Sequence, residues 1–438
     1  MLFTTPDSKR YLTLPLLFIV PTMYLTGALI MLMGLPLTWH ATAVSVAFVF
    51  ALTYQQLKSN ASIRHGFAIS MLALVIFLGL LLLIVFLALQ FYDIYYDSQA
   101  YHGPAIFYLS EGWNVYHSPQ QTPRPLVNTM KVIYSFPKSA WIVSAMIYKA
   151  VGNLEGTHTL NIILMVVTGI ISGVFFEKTV GYQGARKWIF AALVTFNPII
   201  TTQLFSGYID GVMAASLTIF FFSLIIFVHT RNRLFLLLSL LYLPFLINLK
   251  FTGLLFGGIL GLTALVYDWA RGADWRTLAK LAGLMIAVGA ISTLIFGYNP
   301  YVTNTIIHHN PVYPAFDFKT GRSIEDKQIV SEFREKSRLA KLLISNFSLS
   351  SGQNPKKPVF HMPFTKPWFP ASVAGRFSGF GVYFGVVLLL LLPILLLVRP
   401  KSAWVLLTGA FISVLATDVG WWARLAPCLL YTSPSPRD

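Results

Sequence analysis

Charge is scarce in this chain. Of its 438 residues only 11% are charged, and 16 are acidic against 32 lysines and arginines. A soluble globular chain carries roughly 25% charged residues, which excludes an ordinary water-soluble domain. Cysteine is scarcer still, at one residue, and leaves no basis for a disulfide framework, a thiolate metal centre or a redox pair. No cleavable leader is expected either. The first apolar run, near 11–34, is too long for a signal h-region and lacks a small-residue cleavage site.

What the chain has in abundance is apolar sequence, 56% of its residues. Taking roughly 17–20 apolar residues as the least that crosses a bilayer, the sequence predicts an all-α polytopic membrane protein of about eleven transmembrane helices. They fall near 11–34, 38–57, 68–90, 159–176, 188–206, 211–229, 234–249, 252–268, 279–297, 378–398 and 402–420. The two spans within 1–67 read as an addition to a module covering 68–427. Residues 428–438 match, in order, the translation of a DNA-library adapter, so they and the one cysteine are expected to be foreign to the natural chain.

The net charge of +16 does not call for nucleic acid, because most basic residues sit in short loops between spans. Lys9/Arg10, Lys58/Arg64, Lys178/Arg186/Lys187, Arg231/Arg233, Arg271/Arg276/Lys280 and Arg399/Lys401 alternate onto one side. The positive-inside rule makes that side cytoplasmic. The other side receives the long loops 91–158 and 298–377, the turns carrying Asp210 and Lys250, and Arg424. Within the second long loop, 324–347 shows apolar residues at helical spacing and predicts an amphipathic helix on the membrane surface. Two long loops on one face suggest a site built there.

The candidate chemistry gathers on that face. Asp93 and Asp97 follow directly on the 68–90 run, and acids at a hydrocarbon boundary tend to be functional. A short helix would put Asp97 and Tyr101 on one face, with Asp97 as a general base or simply a turn aspartate. Asp93 competes for the same role. His102 and Glu111 could assist or coordinate a divalent cation, though no ligand spacing is diagnostic. Asp210, after Asn197-Pro198 and beside Gly211, suggests a broken helix or an ordinary polar turn. Lys250 is either a snorkelling lysine or a phosphate contact. Tyr298, Asn299 and Tyr313 belong to Pro- and Asn-rich aromatic segments suited to carbohydrate or to an interfacial belt. His308 and His309 read as solvated rather than as metal ligands. Arg424, in Trp421-Trp422-Ala-Arg424, offers a bidentate contact to phosphate or a snorkelling anchor.

The order of these elements is more specific than any one of them. The first-loop Asp-x-x-x-Tyr, then Phe136-Pro-Lys138 with Trp141, Asn197-Pro198 before Tyr208-Ile-Asp210, Tyr298-Asn-Pro-Tyr301, and Trp-Trp-Ala-Arg424 resemble the GT-C superfamily of integral-membrane glycosyltransferases. The protein mannosyltransferase and aminoarabinose transferase branch is nearest in pattern. The resemblance implies inverting transfer of a sugar from a polyprenyl-phosphate donor to an acceptor hydroxyl, with Asp97 as base. It further implies a bacterial inner membrane and a glycan, lipid or protein acceptor on the periplasmic or extracellular side. Arg424, Lys138 and Lys250 are the candidates for stabilising the leaving phosphate. Asp97 is followed by Ser98 where family members often carry Asp-Glu, which leaves a divalent metal open.

Two rival readings differ in kind. A secondary transporter predicts internal repeats and ionisable groups at mid-membrane depth; no repeat is evident, and Asp418 alone sits inside a span. A ligase or polymerase of lipid-linked glycans shares the chemistry but differs in acceptor.

Overall fold

The computed structural model describes residues 13–58, 66–120, 129–323, 331–346, 348–350, 358–360, 401–417 and 420. These residues form an all-helical bundle with almost no strand. Two short antiparallel ribbons are the exception, Phe316–Asp317 with Arg322–Ser323 and Ser348–Ser350 with Pro358–Phe360.

At the centre lies the helix Asp210–Thr230. It is apolar all round and buried along nearly its whole length, as expected of a helix with no polar stripe. Thr159–Lys178, Arg233–Ile247 and Phe251–Ala270 pack around it. Phe175 stacks on Phe222 at 4.1 Å within that core. Leu14–Leu32 closes another flank against Trp39–Lys58 and Arg233–Ile247.

Six helices among the described residues are long and apolar enough to cross a membrane. The outermost of them turn large apolar side chains outward. Leu82, Phe86 and Ile286 are 71%, 59% and 71% exposed. Apolar surface on this scale is unfavourable in water and natural in lipid. The chain is therefore a membrane-embedded helical protein.

Helices occur close to most of the expected spans, with two informative differences. The 188–206 run is not one helix: Gly184–Thr195 stops, and Pro198–Thr202 starts afresh. Pro198 has no N–H to give, and Asn197 caps the new helix by accepting from the Ile199 and Ile200 N–H groups. The expected surface helix over 324–347 is two shorter pieces, Ser331–Arg334 and Arg338–Asn346, with 324–330 and 347 outside the described residues. Arg338 donates to the Leu415 carbonyl at the end of the Lys401–Leu415 helix. The expected span at 378–398 also lies outside the described residues.

The bundle has two chemically distinct ends. At one, Arg231 forks onto the fully buried Asp268 carboxylate, and Lys187 pairs with Glu177. The other end collects the long loops and the tight turns between helices.

Candidate functional site

The segment after the Gly66–Ala88 helix cannot stay helical: Phe91 to Tyr95 runs irregularly before the chain turns again at Ser98–His102. This break aims Asp93 back into the protein. Its Oδ1 accepts from the Tyr95 N–H at 3.0 Å, a local Asx-type turn. Its Oδ2 accepts from the Gly207 N–H at 2.6 Å, and the same N–H reaches the Ser98 hydroxyl at 3.0 Å. His158 Nε2 stands 3.7 Å from Oδ2. Burial alone would raise the Asp93 pKa, but donation from His158, Tyr95, Ser98 and Gly207 outweighs it and holds the carboxyl below its usual range.

Gly207 is positioned by a wired turn. Asn161, on Thr159–Lys178, donates to the Gln203 and Ser206 carbonyls at 2.9 and 2.8 Å. Gln203 in turn accepts from the Gly211 N–H at 2.7 Å, at the start of the central helix. Aromatic contacts lock the same junction: Phe91 stacks on Phe205 at 3.8 Å, and Tyr95 meets Tyr208 edge-on at 5.3 Å.

A cavity of about 420 Å³ opens beside Asp93. Ser98, Glu155, His158 and Gly207 line it with Asp93, and Tyr92, Phe107 and Leu154 form apolar wall. Its volume suits a small-molecule site. Among the described residues, no group of three histidine, cysteine or acidic side chains is arranged to hold a metal ion.

The other candidates fall into separate groups. Asp210, 3% exposed at the start of the central helix, pairs at 2.6 Å with Lys250 in the tight turn between Arg233–Ile247 and Phe251–Ala270. Ser139 ties that turn to the first loop through Asn248 and Phe245 carbonyls at 2.8 and 2.7 Å. Lys138 is buried, donating to the Tyr134 and Phe136 carbonyls between the Trp113 and Trp141 rings. Burial pushes its pKa well down, so it serves here as an internal tie. His102 accepts the Trp141 indole N–H at 2.7 Å, beside the Tyr101 ring.

The remaining expected residues sit apart from the cavity lining. Asp97 is half-buried at the start of the Ser98–His102 turn. That turn bonds i to i+5, and at its wider pitch residues four apart, Asp97 and Tyr101, still lie near one face. Glu111 lies 3.7 Å from Lys149. Tyr298 is partly exposed, Asn299 is buried with an unpartnered Oδ1, and Tyr313 stacks on His308 under Lys131. Arg424 and Asp418 lie outside the described residues. Glu155 and Gly207 carry no site signal in the sequence, and Ser98 stood out there only as the residue after Asp97. A histidine at the head of a span was the one signal available for His158.

Comparison with protein-family models, curated proteins and solved structures finds no match.

Proposed function

We propose that this chain is a membrane glycosyltransferase that moves a sugar from a polyprenyl-phosphate donor to an acceptor hydroxyl on the non-cytoplasmic face. The observation that carries the reading is Asp93. An anionic carboxylate sits on a cavity of about 420 Å³ at the end of a span, held by donors from three separate segments. Fixed geometry of this kind favours an acceptor hydroxyl poised for attack. Because Asp93 lines the cavity and Asp97 does not, the proton-accepting role goes to Asp93 and Asp97 becomes its neighbour.

A carboxylate with a lowered pKa is a weak base. It suits a reaction in which the lipid phosphate leaves early, the sugar gains oxocarbenium character, and the hydroxyl proton departs late. Asp93 then takes that proton as the acceptor oxygen bonds to the anomeric carbon and the phosphate departs with the bonding pair. Lys250 is the described cation nearest in kind to a phosphate contact, once released from Asp210; Lys138 is committed to carbonyls.

The test is sugar transfer in isolated membranes. Asp93→Asn is expected to lower turnover by about 100-fold or more while the protein accumulates normally, and Asp97→Asn to lower it less. The reverse order would return the base role to Asp97. Full activity in both variants would remove the reading. Uptake of solute into sealed proteoliposomes with no sugar turnover would favour the transporter.

A further inference from the structure

Apart from His158, which faces Asp93 Oδ2 at 3.7 Å, the ionisable carboxyl and amine side chains on the cavity wall are acidic. Asp93 and Glu155 both line it, and no lysine or arginine does so among the described residues. Glu155 stands on the short turn Glu155–His158, half-buried, with no ion-pair partner among the described residues. Asp93 accepts from the Tyr95 and Gly207 N–H groups and faces His158 at 3.7 Å. An anion entering here would meet two carboxylates in a partly apolar setting, where repulsion is stronger than in water.

Beside the polar side chains of Ser98, Gln99, Thr157 and His158, much of the wall is apolar or aromatic. Ile106, Phe107, Tyr108 and Leu154 line it, and Tyr92 stands at the rim, 73% exposed. Phe107 and Leu154 are each 41% exposed, so apolar surface continues from the wall outward. Aromatic faces beside carboxylates favour a cation by ring quadrupole as well as by charge.

From this complementarity we infer that the cavity binds an amphiphilic amine, its ammonium between Asp93 and Glu155 and its apolar body against Tyr92, Phe107 and Leu154. The lipid phosphate of a donor is thereby assigned elsewhere, nearer Lys250. The inference rests on the proposed function only in making a hydroxyl carried by this amine the acceptor; binding itself needs no turnover.

Titration calorimetry on the protein in dodecyl maltoside micelles tests it with three probes that share a 2-phenylethyl body. 2-Phenylethylammonium should bind, 2-phenylethanol more weakly, and 3-phenylpropionate not measurably. Glu155→Gln should weaken the ammonium probe about tenfold, as expected for losing one charged hydrogen-bond partner, and leave the alcohol unchanged. Propionate binding as tightly as the ammonium, or Glu155→Gln leaving the ammonium affinity intact, would overturn the assignment. The wild-type probe series needs no variant to fold. Loss of sugar transfer with this selectivity retained would sink the enzymatic reading alone.

Discussion

Asp93 and Gly207 are joined by a 2.6 Å hydrogen bond from the glycine N–H to the aspartate Oδ2. The bond clamps the end of one span to the turn that launches the central helix. A Cβ on Gly207 would lie 3.0 Å from the Ser98 hydroxyl and 3.4 Å from that same Oδ2. Gly207→Ala is therefore expected to push the two segments apart at a cost of about 1–3 kcal/mol, the usual range for overpacking. Thermal unfolding in detergent should show the loss, and sugar transfer should fall with it. An unchanged midpoint would mean that the junction yields without strain.

The donors around Asp93 set a sign for pH dependence. Its carboxyl titrates below the ordinary value in the folded protein, and near 3.9 when unfolded. The ionised form therefore stabilises the fold above about pH 4, and that contribution disappears as pH falls through the folded value. The difference in thermal midpoint between wild type and Asp93→Asn should hold steady from neutral pH to about pH 5 and shrink below about pH 4. A difference that persists undiminished to pH 3 would contradict the hydrogen-bonding account. Any acid limb of activity near neutral pH must come from another group.

The Asp210–Lys250 pair makes a separate prediction. The carboxylate is 3% exposed and the lysine 17%. Removing one partner leaves a charge in a site built for two, at a cost of about 3–5 kcal/mol. Asp210→Asn and Lys250→Met should each destabilise strongly, whereas the double variant should regain much of the loss. Additive penalties in the double-variant cycle would show that the two side chains do not stabilise each other.

The six long apolar helices were legible in the sequence because their signal is local: some twenty apolar residues in a row need no knowledge of neighbours. The helix break at Asn197-Pro198 was legible only in part: proline and its cap are adjacent, yet the apolar run over 188–206 read as one span. Asp97 illustrates the limit. Its four-residue spacing to Tyr101 pointed to one helical face, but spacing carries nothing about which of Asp93 and Asp97 lines the cavity, which packing decides. Glu155 and His158 were invisible as site residues because their meaning depends on Asp93, which approaches through Gly207 rather than through sequence. Lys138 carried a charge that suggested phosphate, yet the fold spends it on two backbone carbonyls.

Sidedness offers the last prediction, and it bears on the whole functional reading. Asn153 lies in the turn just before the cavity residue Glu155, whereas Arg276 lies at the end of the bundle holding the Arg231–Asp268 pair; both are exposed. From the distribution of basic loops we propose that the Arg276 end is cytoplasmic. In a background with Cys428 replaced, Asn153→Cys should react in intact cells with a membrane-impermeant maleimide. Arg276→Cys should react only after the membrane is opened. A polyprenyl-linked donor delivered on the outer face can meet Asp93 only in that orientation. Labelling in the opposite sense would put the cavity in the cytoplasm, where nucleotide-linked sugars are available and the lipid-linked donor loses its rationale.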